Sequence, residues 1–419
     1  MQMKQSYYNL LFKKDERKLV YNQLSTSILE LDDTLYHCLI NDDIEKIPED
    51  IKESLAKSSI LIDDDLDEKN VVLYRVQHAK YDDSFIRVTI MPTLNCNFKC
   101  WYCYENHHES KMSPERMENV LCFCQRLIEQ DKSRTFQLDW FGGEPLLYFQ
   151  EIMYPLAYKI KQLCELNDVK FCHSITTNGY LINNDVIKLM KEINLSSFQI
   201  TLDGSSNYHN KTRFTDSDKN SYKTIVNNIT SLCRFIPNID MTLRINYTPK
   251  NLASIPEIIN DFPLDVRNKI QVCPQLVWQF KKDINATTDN IKNILIKFQR
   301  AGYKTHKKNL ICHQCYAESM NQYVINYDLT VFKCTARDFI KKHSVGKISH
   351  GSFFPNSHYF DYCITSDIIN EKCANCKLMP SCLGRCVQKR VEGNYFNCDI
   401  ENLKMSIIND ILLYINANE

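Results

Sequence analysis

Apolar and polar positions change rhythm along the chain. Over residues 5–35 short alternating runs, Tyr7-Tyr8-Asn9-Leu10-Leu11-Phe12 and Lys18-Leu19-Val20-Tyr21, predict strands joined by turns. Helical patterns follow around 33–40 and 48–58, and strands followed by short helices make a small α+β unit. The acidic stretch Asp63-Asp64-Asp65-Leu66-Asp67-Glu68-Lys69 reads as an exposed turn or linker, with a domain boundary near residue 82. From Phe85 strands and helices alternate, with strands expected at 85–91, 136–141, 171–176, 197–203, 241–247 and 269–277. Ser113-Pro114 supplies an N-cap and a proline for the first helical turn. Met117, Val120, Leu121, Cys124, Leu127 and Ile128 then share one helical face. Six βα units imply a parallel, barrel-like sheet. After about residue 305 the helical rhythm fades, and nine of the nineteen Cys lie between 312 and 398. The expected division is therefore 1–82, 83–304 and 305–419.

Composition narrows the class. The chain has 419 residues, 44% of them hydrophobic, enough for two or three cores. Lys plus Arg equals Asp plus Glu at 51 each, so no global field favours nucleic acid or an anionic membrane. The beginning, Met1-Gln-Met-Lys-Gln-Ser-Tyr-Tyr, shows no secretory pattern, and no apolar run approaches a membrane span. The expected compartment is a reducing cytoplasm, where clustered Cys are read as metal ligands before disulfides.

Chemistry concentrates at Cys96-Asn-Phe-Lys-Cys100-Trp-Tyr-Cys103, just past the first strand of the alternating region. A cubane normally takes four thiolates, so a three-thiol loop holds three irons and exposes the fourth to a small molecule. In parallel sheets, ligands gather at the carboxyl ends of strands, where this loop falls. Phe141-Gly142-Gly143-Glu144-Pro145 follows the second strand, Thr176-Thr177-Asn178-Gly179 ends the third, and Ile200-Thr201-Leu202-Asp203-Gly204 ends the fourth.

The Cx₃CxΦC spacing with these strand ends resembles the radical S-adenosylmethionine (SAM) enzymes. That resemblance implies that a [4Fe–4S] cluster on Cys96, Cys100 and Cys103 binds SAM at its open iron. An electron from the cluster then yields a 5′-deoxyadenosyl radical. By the same resemblance Tyr102, Gly142, Gly143, Glu144, Asn178, Thr201, Asp203 and Arg213 are the cofactor-binding candidates. The family often has His-Asp ahead of that Arg, and His209-Asn210 departs from it. Arg244 and Asn246 alternate onto one face of the fifth strand, toward either the barrel interior or solvent.

Cys373-x₂-Cys376-x₅-Cys382-x₃-Cys386, then Cys398, is similar to the SPASM domain of peptide-modifying members. The resemblance implies two auxiliary [4Fe–4S] clusters. One takes Cys373, Cys376, Cys382 and Cys398, and the other takes Cys315, Cys334 and Cys386, with Cys312 as candidate fourth ligand. A zinc ribbon is the competing reading of these spacings. The family has Gly five residues before the thiol matching Cys334, whereas this chain has Leu329, which weakens the expected turn. Cys38, Cys122, Cys124, Cys164, Cys172, Cys233, Cys273 and Cys363 match no ligand pattern and are read as structural.

The fold expected is α/β, a partial (β/α)6 TIM-like barrel with an N-terminal winged-helix-like α+β domain and a C-terminal cysteine-rich SPASM domain. The N-terminal order is similar to the leader-binding element of ribosomal-peptide (RiPP) maturases, which takes a peptide by strand addition. The expected activity is therefore installation of a thioether or carbon–carbon crosslink in a precursor peptide with a leader segment. The implied reductant is flavodoxin or ferredoxin. An anaerobic sulfatase maturase is the enzymatic alternative, but the Asp that family carries directly after the thiol matching Cys334 is Thr335 here. A non-catalytic iron–sulfur scaffold is the third reading. No residue is singled out as a general base.

Overall fold

The computed structural model describes residues 2–130, 135–283, 288–305, 314–364, 371–384, 386–393 and 398–416. It divides into two compact units, one of residues 1–82 with 307–320 and 361–419, the other of residues 83–306 with 321–360.

In the first unit β1 (Met3–Gln5), β2 (Asn9–Lys14), β3 (Arg17–Asn22) and β4 (Ile28–Glu30) precede α1 (Asp33–Asn41) and α2 (Glu49–Lys57). β5 (Leu61–Asp63) and α3 (Glu68–Tyr81) complete the segment. β2, β3 and β4 form one antiparallel sheet, while β1 and β5 pair antiparallel. Alternation gives the sheet two buried faces. Val20 joins Tyr36, Leu39 and Leu55 from the helices, whereas Leu10, Phe12, Leu19 and Tyr21 pack on Leu378, Ile407 and Ile411. The last two belong to a helix over Ile400–Asn416 that the fading rhythm after 305 did not predict.

The acidic stretch is partly a turn and partly the start of α3. Asp67 caps that helix by accepting from the Lys69 amide, and Glu68 is buried, accepting from Ser6 Oγ at 2.6 Å and the Tyr7 amide at 2.7 Å.

The second unit begins with β6 (Phe85–Ile90), α4 (Pro114–Glu129), β7 (Thr135–Trp140), α5 (Tyr154–Leu166) and β8 (Lys170–Thr177). α6 (Asn184–Glu192), β9 (Ser197–Leu202), α7 (Ser206–Thr212), α8 (Ser221–Phe235) and β10 (Asp240–Tyr247) follow. The series closes with α9 (Leu264–Arg267), β11 (Ile270–Leu276), α10 (Thr288–Arg300) and β12 (Lys304–Thr305). All six expected strands are present within a residue or two of the predicted bounds, and Ser113 caps α4 as its sequence predicts. β6 to β12 lie side by side in chain order and parallel, with no switch point. Uniform right-handed crossovers then stack the helices on one face, and α4 touches α5, which touches α6. Val88, Leu138, Ile200, Leu243 and Val272 are fully buried on that face.

The segment after 305, expected as a separate domain, is shared between the units. β13 (Gln322–Ile325) pairs parallel with β6, and β14 (Thr330–Phe332), β15 (Gly346–Ser349) and β16 (Ser352–Pro355) continue antiparallel from it. Backbone pairing on the open β6 edge draws 321–360 into the large sheet. The Cys373–Cys382 stretch instead packs in the first unit, where Tyr8, Val72, Val76 and Met379 make one core with Cys373 and Cys376 against it. Gln23 Nε2 donates to the Lys377 carbonyl at 2.6 Å and Tyr7 Oη to that of Asn375 at 2.7 Å. Among the described residues no helix is long and apolar enough to cross a membrane.

Candidate active site

The three-thiol loop leaves the carboxyl end of β6, and the Gly-Gly turn leaves that of β7 beside it. Their backbones meet directly. The Gly143 amide donates to the Thr93 carbonyl at 3.2 Å and the Glu144 amide to that of Asn95 at 2.8 Å. A Cβ on Gly143 would stand 2.2 Å from the Asn95 oxygen, and one on Gly142, whose φ is +108°, 2.4 Å from that of Thr93. The immediate demand for these glycines is thus close approach to the Cys loop.

Glu144 is fully buried, and its carboxylate accepts from the Leu146 amide at 3.0 Å, Thr177 Oγ1 at 2.7 Å and the Asn178 amide at 2.8 Å. Burial raises its pKa and these donors oppose the rise. Glu144 therefore fixes the end of β8, and Asn178 in turn donates to Asn97 Oδ1 inside the Cys loop at 2.7 Å.

A second knot forms around Tyr102. Its hydroxyl lies 2.7 Å from both Asp203 oxygens and shares its one proton between them. It accepts from Arg213 Nη1 at 2.9 Å and Asn246 Nδ2 at 3.2 Å. Thr212 Oγ1 also donates to Asp203, at 2.8 Å. Burial raises the pKa of Asp203, and Arg213 with the Tyr102 hydroxyl opposes it. Thr201 is buried one residue pair below on β9.

Sequence reasoning missed His209. Its Nδ1 accepts from the Asp203 amide at 3.3 Å, which leaves the Nε2 proton for Ser221 Oγ at 3.2 Å, and Ser221 donates to the Arg213 carbonyl at 2.6 Å. Burial, then Arg213, hold His209 neutral by lowering its pKa well below normal. His209 thus ties the backbones of Asp203 and Arg213. The available signal was its place in the motif, not the charge of its neighbour. Asn210 instead accepts from the Tyr222 amide at 3.1 Å.

Cys96 and Cys100 are half-buried and Cys103 is exposed. Burial raises all three thiols, and Arg213 opposes the rise at each. Two donors in this region, Asn97 Nδ2 and Arg213 Nε, are buried without a hydrogen-bond partner. Soft thiolates beside unpaired buried donors fit an anionic iron–sulfur group and the carboxylate of its ligand. Among the described residues no three His, Cys, Asp or Glu side chains surround a single metal ion. A cubane does not require that, since each thiolate takes a different iron.

In the first unit, burial raises Cys373, and Cys382, Cys376 and Cys398 add to the rise. Cys315 precedes a turn whose Glu318 pairs with Arg390 at 2.9 Å, and Arg390 lies on the short helix begun by Cys386. Cys334 lies in the second unit, directly after β14, and Cys312 falls outside the described residues. Leu329 adopts φ +71°, so the turn between β13 and β14 forms with Leu where the family has Gly. Asp338 lies 3.5 Å from His343 Nε2, and the Thr335 carbonyl accepts from Tyr104 Oη at 3.0 Å.

A thiol loop, a Gly-Gly turn and polar strand ends on one edge of a parallel sheet define a radical SAM centre. Residues 90–262 match the radical SAM superfamily, a class of enzymes that works with SAM and a [4Fe–4S] cluster.

Among its relatives is the cysteine-type anaerobic sulfatase-maturating enzyme of Clostridium novyi. It is 26% identical, over 74% of this chain and 89% of its own. The radical SAM cyclopropyl synthase TigE of Paramaledivibacter caminithermalis is 22% identical, over 93% of this chain and 90% of its own. Streptococcus suis SuiB, solved with SAM, shares the fold at a TM-score of 0.54 and 15% identity, covering 95% of this chain and 99% of its own. SuiB has also been solved with its precursor peptide SuiA.

Proposed function

We propose that the chain is a peptide maturase that installs a thioether or carbon–carbon crosslink in a ribosomally made precursor. The observation that carries this reading is coverage. The likeness to the cyclopropyl synthase runs over 93% of the chain, and so into the N-terminal α+β segment, while that to the sulfatase maturase spans 74%. The N-terminal strands and helices are winged-helix-like in order and offer β4 as an open edge for a leader segment.

Cys96, Cys100 and Cys103 would hold the SAM cluster. Gly142, Gly143 and Glu144 set the loop, and Tyr102, Asn178, Thr201, Asp203 and Arg213 shape the cofactor's surroundings. When bound, cluster and cofactor supply a hydrogen-abstracting radical. Two auxiliary clusters would draw on Cys373, Cys376, Cys382 and Cys398, and on Cys312, Cys315, Cys334 and Cys386. Cys373 and Cys376 packed against one core of the first unit support that set. Flavodoxin or ferredoxin would deliver the electron.

The sulfatase-maturase reading has the Clostridium relative in its favour. Against it, Thr335 occupies the place of that family's Asp, and the nearby Asp338 is engaged with His343.

The test is anaerobic reconstitution with iron and sulfide, then dithionite and SAM. 5′-Deoxyadenosine formed by the native chain and not by a Cys96/Cys100/Cys103→Ala variant supports radical generation, and its absence from both overturns it. A Cys-containing precursor should become lighter by two hydrogens. Conversion of its Cys to an aldehyde establishes the sulfatase-type chemistry instead.

A further inference from the structure

The face of the β6–β12 sheet opposite the helices carries charged side chains that are already engaged with neighbours. Arg87 Nε lies 3.2 Å from Asp139 Oδ2, and Asp139 also accepts from Gln137 at 2.7 Å. Arg213 meets Tyr102 beside Asp203, whose oxygens take the Tyr102 and Thr212 hydroxyls. Arg244, midway along β10, shares this face by register, opposite Thr201 on β9 and Cys273 on β11. Its Nε donates to Asn246 Oδ1 at 2.9 Å; among the described residues no carboxylate lies within ion-pair distance of it, and its charge reaches Asp203 only across a longer gap, lowering that pKa. Arg244 is half-buried, and its Nη groups are not among the buried atoms left without a partner.

This cation is also held in place. Asn246 grips Nε and spends its own amide on the Tyr102 hydroxyl at 3.2 Å, linking Arg244 to the knot beside the thiol loop. A fixed planar fork with two open donors matches a carboxylate in a bidentate arrangement. The carboxylate of SAM is the less suitable candidate. Arg213 is the cation placed against the thiol loop, with Nη1 on the Tyr102 hydroxyl and a buried Nε without a hydrogen-bond partner, so a carboxylate bound at that loop belongs with Arg213.

We propose that Arg244 recognises a carboxylate of the peptide substrate, carried by an Asp or Glu near the residue that reacts. This rests on the peptide-maturase reading.

The test uses the reconstituted full chain with SAM and three labelled, amidated decapeptides that differ only in a central Asp, Asn or Lys. Fluorescence polarisation reads affinity. The native protein should prefer Asp over Asn by about tenfold or more. Arg244→Gln should reduce that preference to within about twofold, and Arg244→Glu should shift it toward Lys. Peptide binding without an Asp preference, or a preference that survives Arg244→Gln, overturns the assignment. Decarboxylated SAM separates the two carboxylates. The proposal expects it to lose affinity equally in the native chain and in Arg244→Gln, whereas a loss confined to the native chain assigns Arg244 to the cofactor and overturns the substrate role. A native chain that cleaves SAM but binds none of the three peptides sinks the peptide reading, and the proposal with it.

Discussion

Replacing Gly143 by Ala should open the seam between the Gly-Gly turn and the Cys loop. The added Cβ would lie 2.2 Å from the Asn95 oxygen and 2.5 Å from that of Leu94. Ordinary carbon–oxygen contacts are about 3.3–3.6 Å, so the two backbones must part by about 1 Å. Both atoms are main chain and cannot swing aside. The Glu144–Asn95 and Gly143–Thr93 hydrogen bonds, now 2.8 and 3.2 Å, cross the same gap and would be stretched past useful length. Two backbone bonds at about 1 kcal/mol each, plus about 1–3 kcal/mol for a buried group left unpaired, give a loss of about 3 kcal/mol or more. That corresponds to a fall in Tm of about 6–12 °C for a unit of this size. Asn95 adjoins Cys96, so anaerobic iron and sulfide uptake should fall as well. A Gly143→Ala protein that melts within about 1 °C of native and binds the same iron would refute the steric argument.

Three further outcomes follow from other parts of the structure. His173 is buried, accepts from Trp140 Nε1 at 2.6 Å and gives its Nδ1 proton to the Ile193 carbonyl at 2.9 Å; burial lowers its pKa from 6.5 to about 4. Its contribution is therefore full above about pH 6.5 and declines as pH falls towards 4, by about 3 kcal/mol in all; His173→Gln should flatten that part of the denaturant-stability profile relative to native, and unchanged steepness would contradict it. Leu329→Gly should relieve a left-handed Leu worth about 1–2 kcal/mol, offset in part by the greater freedom of Gly when unfolded, and so raise Tm slightly; a clear fall in Tm would show that the Leu side chain matters more than the strain. Glu318 and Arg390 are a nearly buried pair, and Arg390→Met should cost about 3–5 kcal/mol and lower the iron content of the auxiliary set without changing that of the Cys96 loop; iron counted on Cys-loop and auxiliary knockouts separates the two.

The parallel strands were legible because they are buried on the helix side and alternate with polar residues on the other, as Phe136, Leu138 and Trp140 do with Gln137 and Asp139. α3 was not, for a reason its burial makes plain. Its inward positions are Glu68, Val72, Val76 and Lys80, a clean four-residue spacing in which half the members are charged. Val71 and Leu73 fall elsewhere on the helix, so hydrophobicity shows no stripe. Glu68 is tolerated inside because Ser6 and Tyr7 donate to it, and those partners lie some sixty residues away. The division of the chain was hidden for a related reason. Pairing of β13 with the β6 edge is main-chain bonding between segments more than two hundred residues apart, and it leaves no periodic trace.

The site divides in the same way. The thiol loop and the Gly-Gly turn are contiguous motifs, and their spacing alone carries the chemistry. The knot that joins them is not contiguous. Tyr102 comes from the loop, Asp203 from the end of β9, Arg213 from beyond α7 and Asn246 from β10, and each is polar in a place where a polar residue has no local explanation. In sequence each was at most a candidate for touching a ligand. In the structure they first satisfy one another, and that changes what a ligand can ask of them. Asp203 takes the Tyr102 and Thr212 hydroxyls and Glu144 accepts three donors, so both carboxylates are already anchored within the protein. Arg213 Nε and Asn97 Nδ2, by contrast, are buried donors still without partners. Those two donors beside the thiol loop suit a partner that carries negative charge, while the buried Glu105 Oε2, two residues past Cys103, is an acceptor likewise left without a partner.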